Sequence, residues 1–362
     1  MTVLLVVGIL VFLIVVHELG HFIVSKVCRI RVEEFGIGYP PRAFTFGKVG
    51  DTEYTLNWIP FGGFVRLFGD VGEGQHGTGS FVDANRAVQA LVLIAGVAAN
   101  VFAAWALFAA AYHVGIPRPV EEAVPGEPVR LVVVNVVAGS PAETAGVRPG
   151  DEILGLKNYD GIELAELTPA AFSDFVQTRA GDELTVTFIH GEETMTARVV
   201  PAHAVIPDEA GRPALGVAIV LVSARSLPWG EAAREALSTT KGAFVTVLRG
   251  LVNIVKQALA GAPSLSDIVG PVGLVSVVQD AARTGMGEVL ALAAFISVNL
   301  AIINLVPIPA LDGGRLLVLG IEATARRSAP RLALQMLNAL GVALIIFLMV
   351  AVTYNDLARL LT

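Results

Sequence analysis

The chain has 362 residues, of which 54% are hydrophobic and only 16% are charged, and its mean hydropathy is +0.69. Soluble proteins carry about 25% charged residues, so this composition indicates a chain that lies largely in lipid. The net charge of −7 argues against nucleic-acid binding, and the single cysteine, Cys28, excludes an internal disulfide framework and a cysteine-rich zinc finger.

Four apolar segments are long enough to cross a bilayer, which takes about 20 helical residues. The first contains one charged residue, Glu18, and the apolar cores of the other three contain none. We therefore predict a polytopic α-helical membrane protein whose four transmembrane helices lie at 1–25, 87–115, 289–311 and 332–355.

The charges of the loops predict how these helices are oriented in a cell membrane. The loop at 26–86 contains seven Lys and Arg, and the loop at 312–331 has four Arg against two acidic residues. Residues 112–230 carry eight basic and sixteen acidic groups instead. Because basic loops stay in the cytoplasm, 26–86 and 312–331 are predicted to be cytoplasmic and 112–230 extracytoplasmic.

The extracytoplasmic segment 128–204 has the pattern of one inserted α+β domain. Ser140 before Pro141 and Thr168 before Pro169 are N-cap and N1 signals that predict two helices. Between and after them, apolar runs predict strands and a hairpin that turns at Gly191. The run at 139–153 resembles the signature loop of bacterial PDZ domains, which implies a groove where an extended peptide or C-terminus could bind. A rigid spacer that binds nothing is the alternative.

The segment at 229–260 alternates charged and apolar residues in the manner of an amphipathic helix. Its uninterrupted apolar part is too short to span, so we predict a helix that lies along the membrane surface. A plain packing helix under the PDZ-like module is the alternative. The segment 261–287, with Gly270 before Pro271, is expected to interrupt the chain before the third span.

The first span contains a HExxH motif at His17, Glu18 and His21. On a helix the two histidines lie one turn apart on the same face, so both imidazoles can bind one metal ion, and Glu18 can reach a water molecule at that ion. An unpaired Glu inside a transmembrane helix costs about 2.5 kcal/mol or more, which a divalent cation would offset. The motif therefore predicts a catalytic zinc site.

A catalytic zinc usually has three protein ligands, and Asp312 is the best candidate for the third. Pro307 and Pro309 must interrupt the third span near its cytoplasmic end, the same side as His17 and His21 if the predicted orientation holds. The other histidines, in loops, in the soluble domain or at the outer end of span two, are expected to be ordinary residues: His76, His113, His190 and His203.

These motifs together resemble the site-2 protease family of intramembrane zinc metalloproteases, in the bacterial regulator-of-sigma type with a single PDZ domain. The resemblance includes the HExxH motif, the loop at 61–66, the small-residue run at 95–100, the PDZ-like domain and the stretch from Asn304 to Gly314. It implies Zn²⁺ held by His17, His21 and Asp312. Val97 departs from the pattern, because relatives often have proline there.

The resemblance also implies roles for further residues. Glu18 is expected to be the catalytic base, and Asn304 to hold the substrate backbone or the oxyanion. Asn100 is a second polar amide that we predict near the same cavity, as a further candidate for contact with the substrate or the oxyanion. Residues 54–66 would form a membrane-dipping β element that pairs with an unwound substrate.

The predicted function is therefore hydrolysis of peptide bonds within transmembrane segments of single-span proteins, for example anti-sigma factors or signal-peptide remnants. The expected partners are these substrates and the lipid bilayer. An inactive zinc-binding PDZ scaffold is the main alternative, although such a site needs no base like Glu18. A divalent-metal transporter is a further alternative, but the sequence lacks the repeated halves usual in that class.

Overall fold

The computed structural model describes residues 2–70, 76–120, 129–191, 193–203, 211–260, 270–327 and 329–361. Within this part, the chain divides into one unit formed by Met1–Val114 with Leu227–Thr362 and a second unit formed by Gly115–Ser226. The predicted domain limits at 128 and 204, and the first part of the predicted interruption, 261–269, lie outside the described residues.

The helices are named in chain order. They are α1 (Thr2–Val27), α2 (Arg86–Val114), α3 (Pro141–Thr144), α4 (Pro169–Gln177), α5 (Trp229–Leu259), α6 (Pro271–Thr284), α7 (Met286–Leu305), α8 (Asp312–Ala325) and α9 (Arg331–Leu361). Helices α3 and α4 belong to the second unit and the others to the first.

Four described helices are long and apolar enough to cross a membrane: α1, α2, α7 and α9. The third of them differs from its predicted bounds of 289–311, since α7 begins at Met286 and ends at Leu305. Pro307 and Pro309 lack the backbone N–H that a helix needs, so residues 306–311 are not helical. Helices α6 and α8, which flank α7, were not anticipated as separate elements.

Between α1 and α2 the chain forms a long antiparallel hairpin of β1 (Val32–Val49) and β2 (Thr52–Leu67). Both strands bend, so that the first part of β1 pairs with both parts of β2; Ile37, for example, pairs with Gly63 and with Leu56. The hairpin therefore forms a small sheet whose strand segments lie side by side in the order 63–67, 32–37, 52–57 and 42–49. Segments 63–67 and 42–49 are the two edges of this sheet.

A buried carboxylate holds this hairpin together. Glu34 is 3% exposed, and it accepts hydrogen bonds from Thr55 at 2.7 Å and from Arg42 at 2.9 Å. Arg66 also pairs with it, at 2.7 Å. Large apolar side chains of the hairpin are exposed, namely Phe44, Phe46, Val49 and Trp58. Exposed apolar residues of this size suit contact with lipid, and the membrane-dipping location of 54–66 stays a prediction.

Helix α5 packs along the spans with one face. Trp105 Nε1 donates to the carbonyl of Ala233 at 2.9 Å, and Tyr112 and Thr239 share a hydrogen bond of 2.7 Å between their hydroxyls. Further along, α5 packs on a small core formed by α2 and α7. This face of α5 therefore packs on the spans, which was not predicted, while the membrane-surface location of 229–260 stays a prediction.

The second unit is a six-stranded antiparallel sheet with α3 and α4. Its strands are β3 (Arg118–Val120), β4 (Val129–Val136), β5 (Glu152–Asn158), β6 (Leu184–His190), β7 (Glu193–Val199) and β8 (Val217–Ser223), in the order β3-β8-β4-β5-β6-β7. Ser140 and Thr168 accept from the backbone N–H three residues on, which confirms both predicted helix caps.

The predicted domain limits of 128–204 are too narrow for this unit. Strand β8 lies beyond residue 204, yet it belongs to the sheet. It is the second strand in the order and pairs with β3 on one side and with β4 on the other. Leu221 from β8 is 2% exposed and belongs to the same apolar core as Phe188 from β6. The unit therefore needs β3 and β8 to complete its sheet.

Helix α6 is capped by a residue far away in the chain. Its N-cap residue, Gly270, has no side chain that could cap it. Asp356 in α9 supplies the carboxylate instead, accepting from the backbone N–H groups of Gly270, Val272 and Gly273 at 3.1, 3.1 and 2.8 Å. This carboxylate ties the last helix to α6.

Replacing Asp356 by alanine should lower the free energy of unfolding by about 1 kcal/mol, the usual cost of a lost N-cap. Thermal unfolding in detergent measures it as a lower Tm. Asp280→Ala is the matched control, because Asp280 is exposed and pairs only loosely with Arg283. Equal Tm values for the two variants would contradict the capping role.

Candidate metal centre

Helix α1 presents His17 and His21 on one face, as the HExxH spacing requires. Both residues are buried, their ring centroids are 4.7 Å apart, and their Nε2 atoms are 3.1 Å apart. Two ring nitrogens therefore point at the same place within the helix bundle.

The break after α7 brings a carboxylate to these nitrogens. After Leu305 the chain continues without helix to Ala310, which has a φ of +78°, and Asp312 then starts α8. Asp312 Oδ2 lies 3.0 Å from His17 Nε2 and 3.2 Å from His21 Nε2. Positive φ is costly for a residue with a side chain, and such strain is found where surrounding structure imposes it at functional sites.

Two glycines of the DGG sequence allow this close approach. A Cβ on Gly313 would lie 2.3 Å from the Leu305 carbonyl oxygen, and one on Gly314 would lie 2.2 Å from that of Ile308. The first turn of α8 therefore packs directly on the unwound backbone. This packing positions Asp312.

Helix α2 forms the wall behind the histidines. His21 Nδ1 donates to the Val92 carbonyl at 2.8 Å, which leaves the lone pair of a neutral ring on Nε2. Gly96 lies against both rings, since a Cβ there would come 2.4 Å from His21 Nε2 and 2.7 Å from His17 Nε2. Gly20 allows the two helices to approach, because its Cβ would meet the Ala95 carbonyl at 2.4 Å.

This arrangement fits a zinc ion. The three ligand atoms form a triangle with sides of 3.0, 3.1 and 3.2 Å, close to the roughly 3.3 Å between the ligand atoms of a tetrahedral zinc with bonds of about 2.0–2.1 Å. Asp312 Oδ2 is buried and has no hydrogen-bond donor of regular geometry. Among the described residues, these three form the group that could hold a metal ion.

Glu18 lies between this centre and the hairpin. The backbone of Val65 hydrogen-bonds to it, and its carboxylate is within electrostatic reach of His17, His21 and Asp312. A Cβ on Gly63 would lie 3.2 Å from Glu18 Cγ. The edge segment 63–67 of the hairpin therefore runs beside the Glu18 carboxylate.

The two asparagines predicted near the cavity occupy different positions. Asn304 is half-buried in the last turn of α7. Asn100 is fully buried, and its Nδ2 lies 3.4 Å from His17 Nδ1. Contact of either residue with a substrate stays a prediction.

The remaining described histidines are engaged elsewhere. His76 pairs with Asp83 and His190 with Asp151, both at 2.7 Å. His113 stacks on Trp229 and bonds to the Leu227 carbonyl, while His203 Nδ1 lies 3.3 Å from the Gly211 carbonyl oxygen.

Sequence reasoning missed the contributions of Val92, Gly96 and Ser297. Val92 and Gly96 act through their backbone, which every apolar helix contains, so neither by itself leaves a signal in the sequence. The Ser297 hydroxyl belongs to a different span and donates to the Asn100 carbonyl at 2.8 Å. The small-residue run around Gly96 was the one available signal that another helix packs closely here. It does not show which residues of that helix α2 contacts.

Comparison with known proteins gives consistent matches over the length of the chain. The sequence model of Peptidase family M50 matches residues 5–348. A Clostridium perfringens protein named "Putative zinc metalloprotease" is 34% identical over 349 residues, which are 95% of each chain. An Arabidopsis thaliana protein named "Probable membrane metalloprotease ARASP2, chloroplastic" is 30% identical over 372 residues, 98% of this chain and 79% of that one.

One similar solved structure is the PDZ domain of the SdrC-like protein from Listeria monocytogenes. It is 18% identical, with a TM-score of 0.21, and the match covers 28% of this chain and 93% of that domain.

Gly96→Ala should remove zinc from the purified protein, because the new methyl group would occupy the space of both imidazole nitrogens. Zinc per chain, measured by elemental analysis in detergent, checks this. Gly8→Ala is the control, since Gly8 lies in α1 with nothing within 4 Å of its Cβ position. A normal zinc content in Gly96→Ala would refute the role of Gly96.

Proposed function

The chain belongs to peptidase family M50, the site-2 protease family of zinc metalloproteases, and from this premise we propose that it cleaves peptide bonds within the transmembrane segments of single-span membrane proteins. It is a multi-pass membrane metalloprotease that uses zinc. The observation that carries the proposal is the convergence of Asp312 with His17 and His21 beside Glu18, in and next to helices that are apolar enough to span a membrane.

We propose His17, His21 and Asp312 as the zinc ligands and Glu18 as the general base. When bound, zinc polarises the scissile carbonyl and lowers the pKa of water toward about 7. Glu18 takes the proton of the attacking water and passes it to the leaving amine. Its neighbours on the hairpin, Gly63 and Val65, orient the carboxylate. Asn304 is our candidate for contact with the substrate carbonyl.

The substrate must lose its helix before it can be cut, because a helix hides its carbonyl groups in its own hydrogen bonds. An extended substrate segment can pair with the free edge at 63–67, and this edge lies beside Glu18. The hairpin thus offers an unwound segment the backbone partners that lipid does not supply.

The loop charges support the orientation of the protein in a cell membrane. We propose that 26–86 and 312–331 are cytoplasmic, which puts the metal centre toward the cytoplasmic side and the PDZ-like unit outside. Anti-sigma factors and signal-peptide remnants are candidate substrates. The PDZ-like unit would bind a peptide or C-terminus, or exclude substrates that still carry a large outer domain.

Glu18→Gln should keep one zinc per chain and lower the cleavage rate of a single-span model substrate at least about 10²-fold, the usual contribution of a general base. Asp312→Ala should lose zinc and activity together. Zinc analysis and gel-based cleavage in detergent measure both quantities. The control is Glu288→Gln, at the outer end of α7, and cleavage that survives in Glu18→Gln would rule out the mechanism.

Substrate pairing at the hairpin edge should be visible by disulfide cross-linking. In a Cys28→Ser background, Val65→Cys should cross-link to single cysteines placed along the substrate span, with a period of two residues as in a strand. Lys48→Cys, on the opposite edge of the hairpin, is the control. Cross-links of equal strength at both edges, or a helical period, would contradict β pairing at 63–67.

A further inference from the structure

We propose that Asn100 is a positioning residue that fixes the tautomer of His17, so that His17 Nε2 offers its lone pair to zinc. This inference rests on the proposed function only in taking zinc to be the ion that His17 binds. It gives Asn100 a role different from contact with the substrate.

The burial of Asn100 argues for a role inside the protein. The residue is 0% exposed, so a substrate in the active-site cavity cannot touch it without rearrangement of α2. Its backbone carbonyl is held by the Ser297 hydroxyl at 2.8 Å, which ties this point of α2 to α7. The side chain faces His17 Nδ1, with its Nδ2 atom at 3.4 Å.

The chemistry of the imidazole requires a hydrogen-bond acceptor beside His17 Nδ1. A neutral histidine carries its proton on one nitrogen, so a ring that binds a metal through Nε2 is protonated on Nδ1. His21 satisfies this requirement with the Val92 carbonyl at 2.8 Å. For His17, the group that faces Nδ1 is the amide of Asn100.

One rotation of the amide supplies this acceptor. Asn100 Oδ1 is buried and has no hydrogen-bond partner among the described residues, and turning the amide by 180° exchanges the places of Oδ1 and Nδ2. Oδ1 then accepts from His17 Nδ1–H, and no hydrogen bond of Oδ1 is lost in the rotation. With the amide nitrogen facing Nδ1, the histidine proton is directed to Nε2, and that tautomer cannot bind a metal through Nε2.

Asn100→Leu tests the proposal, because leucine has nearly the same volume and no acceptor. The dissociation constant for zinc, measured by chelator competition in detergent, should rise 10- to 100-fold, as for other lost partners of metal-binding histidines. Asn100→Asp keeps an acceptor in place, so its zinc affinity should equal or exceed that of the wild type. Asn299→Leu, in α7, is the control, since the Asn299 amide only bonds back to the Phe295 carbonyl.

The outcomes separate this inference from the proposed function. Wild-type zinc affinity in Asn100→Leu, or an equal loss in Asn100→Leu and Asn100→Asp, would overturn the tautomer role. Should Asn100→Leu not fold, as judged by the Tm of the metal-free protein, Asn100→Ser replaces it, because serine is too short to reach His17. Asp312→Ala is measured alongside: if it binds zinc like the wild type, the ligand set is wrong, whereas its loss of zinc with no effect of Asn100→Leu removes only the inference.

Discussion

Three acceptor atoms, two imidazole nitrogens and a carboxylate oxygen, meet within 3.0–3.2 Å of one another among apolar helices. Such atoms repel one another unless a proton or a cation lies between them, and no bulk water is available in a bilayer to weaken the repulsion. The remainder of the membrane unit can be understood as the structure that makes this meeting possible. A zinc ion held by these three atoms, as proposed above, would replace their mutual repulsion with attraction to the cation.

The close approach of the backbones follows from this constraint. Gly20 and Gly96 bring α1 and α2 together until the histidine rings lie against the α2 backbone, and Gly313 and Gly314 do the same for α8 and the unwound segment after α7. Unwound backbone at membrane depth is tolerated where it is buried in protein or lines a cavity. The break at Pro307 thus gives up helix hydrogen bonds and delivers Asp312 to the histidines.

The same region brings together what peptide hydrolysis in lipid requires. The proposed base, Glu18, lies between the candidate metal centre and a strand edge, and both His17 and His21 have a partner on α2 at the nitrogen that faces away from this centre. The hairpin itself is held by the buried Glu34 carboxylate and its arginine partners, of which Arg66 belongs to the edge segment that passes Glu18. Rigid positioning of ligands, base and substrate backbone is the part of catalysis that the protein supplies.

Much of the site was predictable because its signals are local. The 3.6-residue period of a helix puts His17 and His21 on one face whatever surrounds them, proline interrupts α7 in any context, and hydropathy alone marks the four spans. Ser140 and Thr168 cap their helices through atoms only three residues away. The three residues that the structure brings together could therefore be named from residue types and spacing, although Asp312 lies 291 residues after His21.

Only the tertiary structure decided which surfaces meet. Val92, Gly96 and Asn100 meet the two imidazoles because α2 is rotated about its axis so that these residues face α1. Both helices are apolar with nearly uniform composition, so no periodic pattern in their sequences shows which side of α2 faces α1. The place of β8 between β3 and β4, the double pairing of β1 and the capping of α6 by Asp356 likewise join residues far apart in the chain. Such contacts are set by the packing of the whole fold, and no local pattern announces them.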